Sequence, residues 1–164
     1  MFDICPLNGA AIEADLSQRD FTLNALAYDL SSGEIIDCTG GLGDIADKKI
    51  RMVSEKVFEK DPVRLIRAYR MAAMLGFEMD SHTFSAIKND APLIRNSAGE
   101  RIHAELFKMF STPQSHYYFS QMSASGLLFE IFPEIKPLKG CLQNRYHHYD
   151  VFEHTMKAYH HLET

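Results

Sequence analysis

The sequence predicts an α+β fold, with a small N-terminal β-sheet followed by a mostly helical remainder. Three observations carry this expectation. Positions 1–53 alternate short apolar runs with Gly and Asp, positions 54–125 carry one helix signal after another, and positions 126–149 are broken by Pro133, Pro137 and Gly140. The same shifts divide the 164 residues into segments 1–53, 54–125 and 126–164. A content of 46% hydrophobic and 24% charged residues is that of a folded chain, which excludes wholesale disorder. No apolar run approaches the roughly 18 residues a spanning helix needs, so no membrane partner is expected. Cys5, Cys38 and Cys141 are too few and too scattered for a disulfide framework or a CxxC zinc site, and a reducing cytoplasm is the expected setting.

Taken in order, Leu16 to Ala25 reads as a short helix. Leu26 to Leu30 and Glu34 to Asp37 flank Ser31-Ser32-Gly33 and predict a hairpin. Gly40-Gly41-Leu42-Gly43-Asp44 reads as a loop, Asp44 to Lys48 as one helical turn, and Ile50 to Val53 as a strand. Asp61 before Pro62 is an N-cap with a first-turn proline, and the helix it opens ends at Gly76. Its apolar face is expected from Val63, Ile66, Ala68, Tyr69, Ala72, Ala73 and Leu75. A shorter helix is expected near His82 to Lys88. Ser97-Ala98-Gly99-Glu100 matches a capping box and opens a helix to about Phe110. Thr112-Pro113 starts another to about Ser125, Gly126 to Tyr149 is a broken connection, and Asp150 to Thr164 is helical again.

The net charge of −5, from 17 Lys+Arg against 22 Asp+Glu, excludes a polybasic nucleic-acid binder. An anionic ligand therefore needs a local cluster, and Arg64, Arg67 and Arg70 supply one. A spacing of three residues puts them in a slowly drifting stripe along one side of a helix, with Asp61 at its start. Like charges at that spacing repel unless something anionic lies between them. Guanidinium forks suit phosphate oxygens or base edges, and Asp61 adds an acceptor beside Arg64, so the set matches a Watson–Crick edge. The alternative is a surface helix whose arginines pair with acids from elsewhere in the chain.

Arg19-Asp20-Phe21-Thr22-Leu23-Asn24-Ala25 gathers Arg19 for a phosphate and Asp20 and Asn24 for sugar hydroxyls, or else is a polar helix turn. The glycine segment meets neither GxxxxGK[ST] nor GxGxxG, and serves either as a tight connection or as a hinge. His147, His148, His154, His160 and His161 cluster late in the chain but lack HExxH. A metal site needs three or four ligands with support behind them, so this stretch alone is a poor one. No Asp-x-Asp stands on a strand to hold two divalent metals.

Arg19-Asp20-Phe21-Thr22-Leu23-Asn24-Ala25-Leu26, then Asp37 with Gly40-Gly41 and Asp44, then Asp61 through Arg70, resemble in order and spacing the motifs of the class II tRNA nucleotidyltransferase and bacterial poly(A) polymerase family. Glu100-Arg101-Ile102 with Glu105-Leu106 resembles the motif that follows. The resemblance implies a partial nucleotidyltransferase head over 1–53, a helical neck with a nucleotide-template helix over 54–125, and the start of a body over 126–164. It implies an enzyme that adds CCA to tRNA, or AMP to other RNA 3′ ends, from ATP and CTP with Mg²⁺. It implies that Arg19 contacts the nucleotide's phosphates, that Asp20 and Asn24 lie near the ribose, and that Gly40 and Gly41 form a hinge. Asp61 and Arg64 are then the base readers, with Arg67 and Arg70 supporting them. Tyr146 to Thr155 resembles the opening of an HD domain, with His154 at its first metal-ligand position. The family's Gly-Gly…Arg-Asp opening and its Asp-x-Asp pair are missing from this sequence, Lys60 stands before Asp61 where the family commonly has Glu, and Gln18 replaces a first arginine. Without the metal carboxylates the chain alone is expected to transfer no nucleotide. A non-catalytic RNA- or nucleotide-binding module is the alternative, and a hydrolase built on the late histidines is a third reading.

Overall fold

The computed structural model describes Leu7, residues 11–142 and residues 148–163. Helix α1 spans Ile12–Leu16. The helix expected over Leu16 to Ala25 does not continue from it. Phe21 is extended instead, pairs with Met52 in an isolated bridge, and leads into a 3-10 turn at Thr22–Asn24. Two causes act together. Phe21 is fully buried in the core, and the Asp20 carboxylate takes the Phe21 amide at 2.8 Å, so a side chain competes with the helical ladder.

Strands β1 (Leu26–Asp29) and β2 (Glu34–Asp37) form the expected antiparallel hairpin, with Leu26 opposite Asp37. Asp29 holds the turn by accepting from the Ser31 amide and the Ser32 hydroxyl, and Gly33 takes the left-handed φ of 75° that closes it. The glycine segment is not a loop. Helix α2 runs from Gly41 to Ala46, because the Asp37 carboxylate accepts the amides of Thr39, Gly40, Gly41 and Leu42 and satisfies the donors of its first turn. Strand β3 (Lys49–Ile50) is shorter than expected and pairs in parallel with β4 (Glu78–Met79), which lies beyond the next helices. Among the described residues the β-structure is thus two separate pairs, and the second joins the first segment to the helical one.

Helix α3 is Val57–Lys60 and α4 is Arg64–Leu75, entered through a turn at 61–63 and closed by Gly76 at φ 65°. The buried face of α4 includes Leu65, which the apolar spacing left out, while Leu75 is 44% exposed. Helix α5 (Ser81–Asp90) is capped by Asp80, which accepts the His82 and Thr83 amides. Helix α6 (Gly99–Phe110) begins one residue later than the capping box requires. Ser97 ends the preceding 3-10 stretch Ala91–Asn96, and its hydroxyl finds no partner among the described residues. Helix α7 is Ser115–Ala124. The expected broken connection contains helix α8 (Leu127–Ile131), where burial of Leu127, Leu128 and Phe129 outweighs the flanking breakers, and a 3-10 turn at Pro133–Leu138. Helix α9 spans Val151–Glu163, with Asp150 accepting the Glu153 amide.

One apolar cluster runs from Phe21 and Ile50 through Phe58, Ile66, Ile94 and Met109 to Leu127 and Phe152. Tyr69 lies inside it, 1% exposed, and donates its hydroxyl to Ser125 Oγ at 2.8 Å. Burial pushes the Tyr69 phenol well above its usual range, so it stays neutral. The core fixes α4 between the first segment and α6, so its polar side faces both.

Candidate nucleotide-binding site

The arginine stripe of α4 meets acids from two other elements. Glu105 on α6 is 6% exposed, lies 2.6 Å from Arg70 Nε and sits 3.6 Å from Arg67 Nε. Arg67 Nη1 reaches Asp20 Oδ2 at 3.1 Å. Arg101, one turn before Glu105 on α6, donates to Asp61 Oδ2 at 2.8 Å. Arg64 Nη2 donates to the Gln18 carbonyl at 3.2 Å, and Arg64 Nε stands 4.0 Å from Asp61. The anion that the stripe needs is therefore supplied within the chain. Four guanidiniums (64, 67, 70, 101) meet three carboxylates (20, 61, 105), which leaves the cluster one positive charge in excess.

The pairing is not complete. Asp61 Oδ1, Arg64 Nε, Arg64 Nη1 and Arg67 Nε are buried without a hydrogen-bond partner among the described residues. Buried charged groups without partners are costly, so these atoms keep hydrogen-bonding capacity toward whatever occupies the space beside them. Burial raises the Asp61 carboxyl, but the Arg101 hydrogen bond and charge, the Val63 amide and the Arg64 charge outweigh it and hold it below the ordinary range. Asp61 is therefore an acceptor at neutral pH.

Asp20 is 6% exposed and accepts from the Phe21 amide, from Asn24 Nδ2 at 3.1 Å and from Arg67. Three of its roughly four acceptor positions are filled, so it orients Asn24 and Arg67 more than it offers itself. Arg19 lies at the edge, its side chain 50% exposed and paired with Asp15. The Arg19 to Asn24 segment is held from behind. Thr22 Oγ1 donates to Asp44 at 2.7 Å, Asp44 takes Arg51 Nε at 3.0 Å, and Arg51 reaches on to Asp80 at 3.0 Å. Gly40 is left-handed at φ 80° with open space around it, whereas a Cβ on Gly41 would lie 2.2 Å from the Thr22 carbonyl oxygen.

Arg64, Arg67, Arg70, Asp61, Asp20 and Asn24 are thus brought together, while Gly40 and Gly41 lie behind them. Arg101 and Glu105 complete the cluster, although no role was assigned to them in advance. The available signals were their place in the motif over Glu100 to Leu106 and their spacing of four on an amphipathic helix. His154 is exposed on the first turn of α9, and His147 lies outside the described residues. No group of three or more His, Cys, Asp or Glu is placed to hold a metal ion among the described residues. The described residues therefore offer no complete protein-only metal site, and His154 stands without a set of ligands around it. No helix among them is long and apolar enough to cross a membrane.

Residues 7–51 match the family model described as poly A polymerase head domain, and residues 76–139 match the one described as probable RNA and SrmB-binding site of polymerase A. A CC-adding tRNA nucleotidyltransferase of Geobacter sulfurreducens is 45% identical over 79% of this chain and 30% of its own length. The Bacillus stearothermophilus CCA-adding enzyme in complex with CTP has a TM-score of 0.68 and 38% identity, over 71% of this chain and 30% of that one. The Thermotoga maritima CCA-adding enzyme complexed with tRNA has a TM-score of 0.72 and 28% identity, over 75% of this chain and 31% of that one. The chain thus spans about a third of the length of these proteins. Both halves of the arginine-lined cluster fall within or beside the matched segments, and the chain belongs to the class II tRNA nucleotidyltransferase and bacterial poly(A) polymerase family.

Proposed function

We propose that this chain is the nucleotide-reading part of an RNA 3′-end nucleotidyltransferase, which adds CCA to tRNA or adenylate to RNA without a nucleic-acid template. The observation that carries the reading is the set of buried orphans, Asp61 Oδ1 with Arg64 Nε and Nη1. One acceptor beside two donors suits the edge of the incoming base of ATP or CTP. Arg67 and Arg70, braced by Asp20 and Glu105, hold that edge in register. Asn24, oriented by Asp20, lies near the ribose, and Arg19 turns from Asp15 to the phosphates. Gly40 and Gly41 form the hinge-like joint of a head over 1–53 against a neck over 54–125, with a body beginning at 126. The remaining partner is the 3′ end of a tRNA or another RNA, in the cytoplasm.

Transfer is attack of the RNA 3′-hydroxyl on the nucleotide's α-phosphorus, which forms the new phosphodiester bond, breaks the α–β phosphoanhydride bond and releases pyrophosphate; in the whole enzyme Mg²⁺ would supply charge neutralisation. This chain's own residues bind and orient the nucleotide, and by itself the chain transfers none. Equilibrium dialysis with ATP and CTP tests the binding, and incorporation into tRNA tests the rest. Saturable nucleotide binding that Arg64→Ala abolishes, without incorporation, is the expected result. Unchanged binding by Arg64→Ala overturns the base-reading role, and robust incorporation by the chain alone overturns the division of labour. RNA binding without any nucleotide binding favours a non-catalytic RNA module instead.

A further inference from the structure

The face of α4 opposite the arginine stripe closes a cavity of about 470 Å³, between α4, β4, α5 and α7. Phe77, Phe84, Tyr117 and Tyr118 line it, with Glu78, Ser81, Ser85 and Gln121 as polar groups. Tyr117 and Tyr118 meet edge to face, with centroids 5.1 Å apart and planes at 85°, and form a right-angled aromatic corner. Tyr117 is 50% exposed and stands at the mouth. The Gln121 carboxamide and the Ser81 hydroxyl have no hydrogen-bond partner among the described residues, so they keep donors and acceptors for a ligand. No Lys, Arg or His lines the cavity, so it has nothing to hold a triphosphate. Lys49 is outside it, bound to the lining residue Glu78 at 2.6 Å.

We propose that this cavity receives one unstacked base of the RNA strand, on the side of α4 opposite the incoming nucleotide. The proposal rests on the reading of the chain as an RNA-handling one. An aromatic corner stacks any base face, the amide and hydroxyl meet a base edge, and phosphates stay outside, where Lys49 lies at the rim. RNA is favoured over a free nucleotide because the lining lacks cations. It is favoured also because every lining residue except Tyr69 and Ala72 falls in the segment 76–139, whose family model is described as an RNA-binding site.

The test is fluorescence anisotropy of the whole chain with a labelled single-stranded RNA octamer and with the same octamer carrying abasic sites. Tyr117→Ala is expected to weaken the octamer by roughly five- to a hundredfold, the loss seen per stacked base. Tyr117→Phe is expected to bind as the unmodified chain does, and the abasic octamer to bind weakly to all three proteins. Equal binding of the intact and abasic octamers, or full affinity in Tyr117→Ala, overturns the proposal. A third arm adds adenosine. If adenosine shifts the Tyr117 and Tyr118 ring signals in NMR while RNA does not, the ligand is a free nucleoside and the RNA proposal fails. ATP binding by Tyr117→Ala and by Arg64→Ala separates the two sites. The former is expected to bind ATP normally, so loss of RNA binding alone leaves the base-reading site untouched.

Discussion

Replacing Arg64 by methionine separates stability from nucleotide binding. Methionine keeps the length of the stem but removes the guanidinium, two of whose nitrogens are buried without partners. Each such buried donor costs about 1–3 kcal/mol in the unliganded protein. Against that, the variant loses the Arg64 hydrogen bond to the Gln18 carbonyl, about 1.5–3 kcal/mol for a charged donor. It also loses the long 4.0 Å contact to Asp61, which adds about 0.2–1 kcal/mol at most. Asp61 keeps its Arg101 partner at 2.8 Å, so no new buried charge is stranded. The terms nearly cancel, and the balance lies between about 2 kcal/mol against the variant and about 4 kcal/mol in its favour. Urea denaturation followed by circular dichroism reads this directly, and each kcal/mol moves Tm by roughly 2–4 °C for a chain of this size. The same variant is expected to lose nucleotide binding. A loss of stability above about 2 kcal/mol would mean that the guanidinium is satisfied by the fold itself, and the inference from its orphaned nitrogens would fall.

Other substitutions test the scaffold. Glu105→Ala leaves Arg67 and Arg70 facing each other without their shared carboxylate, and is expected to cost about 3–5 kcal/mol in urea denaturation. Gly41→Ala must move the Thr22 carbonyl by at least 0.8 Å, from 2.2 Å to the 3.0 Å floor of real contacts, and should both destabilise the chain by about 1–3 kcal/mol and weaken nucleotide binding. Gly40→Ala should cost only about 1 kcal/mol, for its left-handed φ, since open space surrounds it and no neighbour must move. Burial raises the Glu163 carboxyl, but bonds from Ser115 and His116 outweigh it and lower it to about 2. Because the folded value is depressed, the contact of α9 with α7 contributes stability above the unfolded value near 4.5 and loses it as pH falls toward about 2. Hydrogen exchange in α9 along an acid titration should follow that window, and Glu163→Gln should flatten it. A chelator is expected to leave Tm unchanged.

Much of this was legible in the sequence, for local reasons. The hairpin, the Gly76 terminator and the arginine stripe each follow from spacing or from one residue's backbone freedom. The misses have long-range causes. Leu16 to Ala25 has helical composition, but burial of Phe21 and the Asp20 carboxylate break it. The glycine segment became α2 because Asp37, at the end of a strand, caps it. The β3–β4 pairing spans 29 positions and leaves no local trace. In the site, the arginines were visible and their internal acids were not. Asp20 sits 47 residues from Arg67 and Glu105 sits 35 from Arg70, so only the folded chain reveals that the stripe is already mostly neutralised and that Asp61 and Arg64 keep the open valences.

Base preference distinguishes a pocket that reads a base edge from one that holds any anion. Isothermal titration of the chain with ATP, CTP, GTP and UTP, repeated on Arg64→Met, reads whether Asp61 and Arg64 recognise a base edge. The unmodified chain is expected to bind ATP and CTP more tightly than GTP and UTP, by roughly tenfold or more for a matched set of buried hydrogen bonds. Arg64→Met is expected to bind all four weakly and alike. An unmodified chain that treats the four nucleotides equally, or a variant that keeps the preference, would contradict the account.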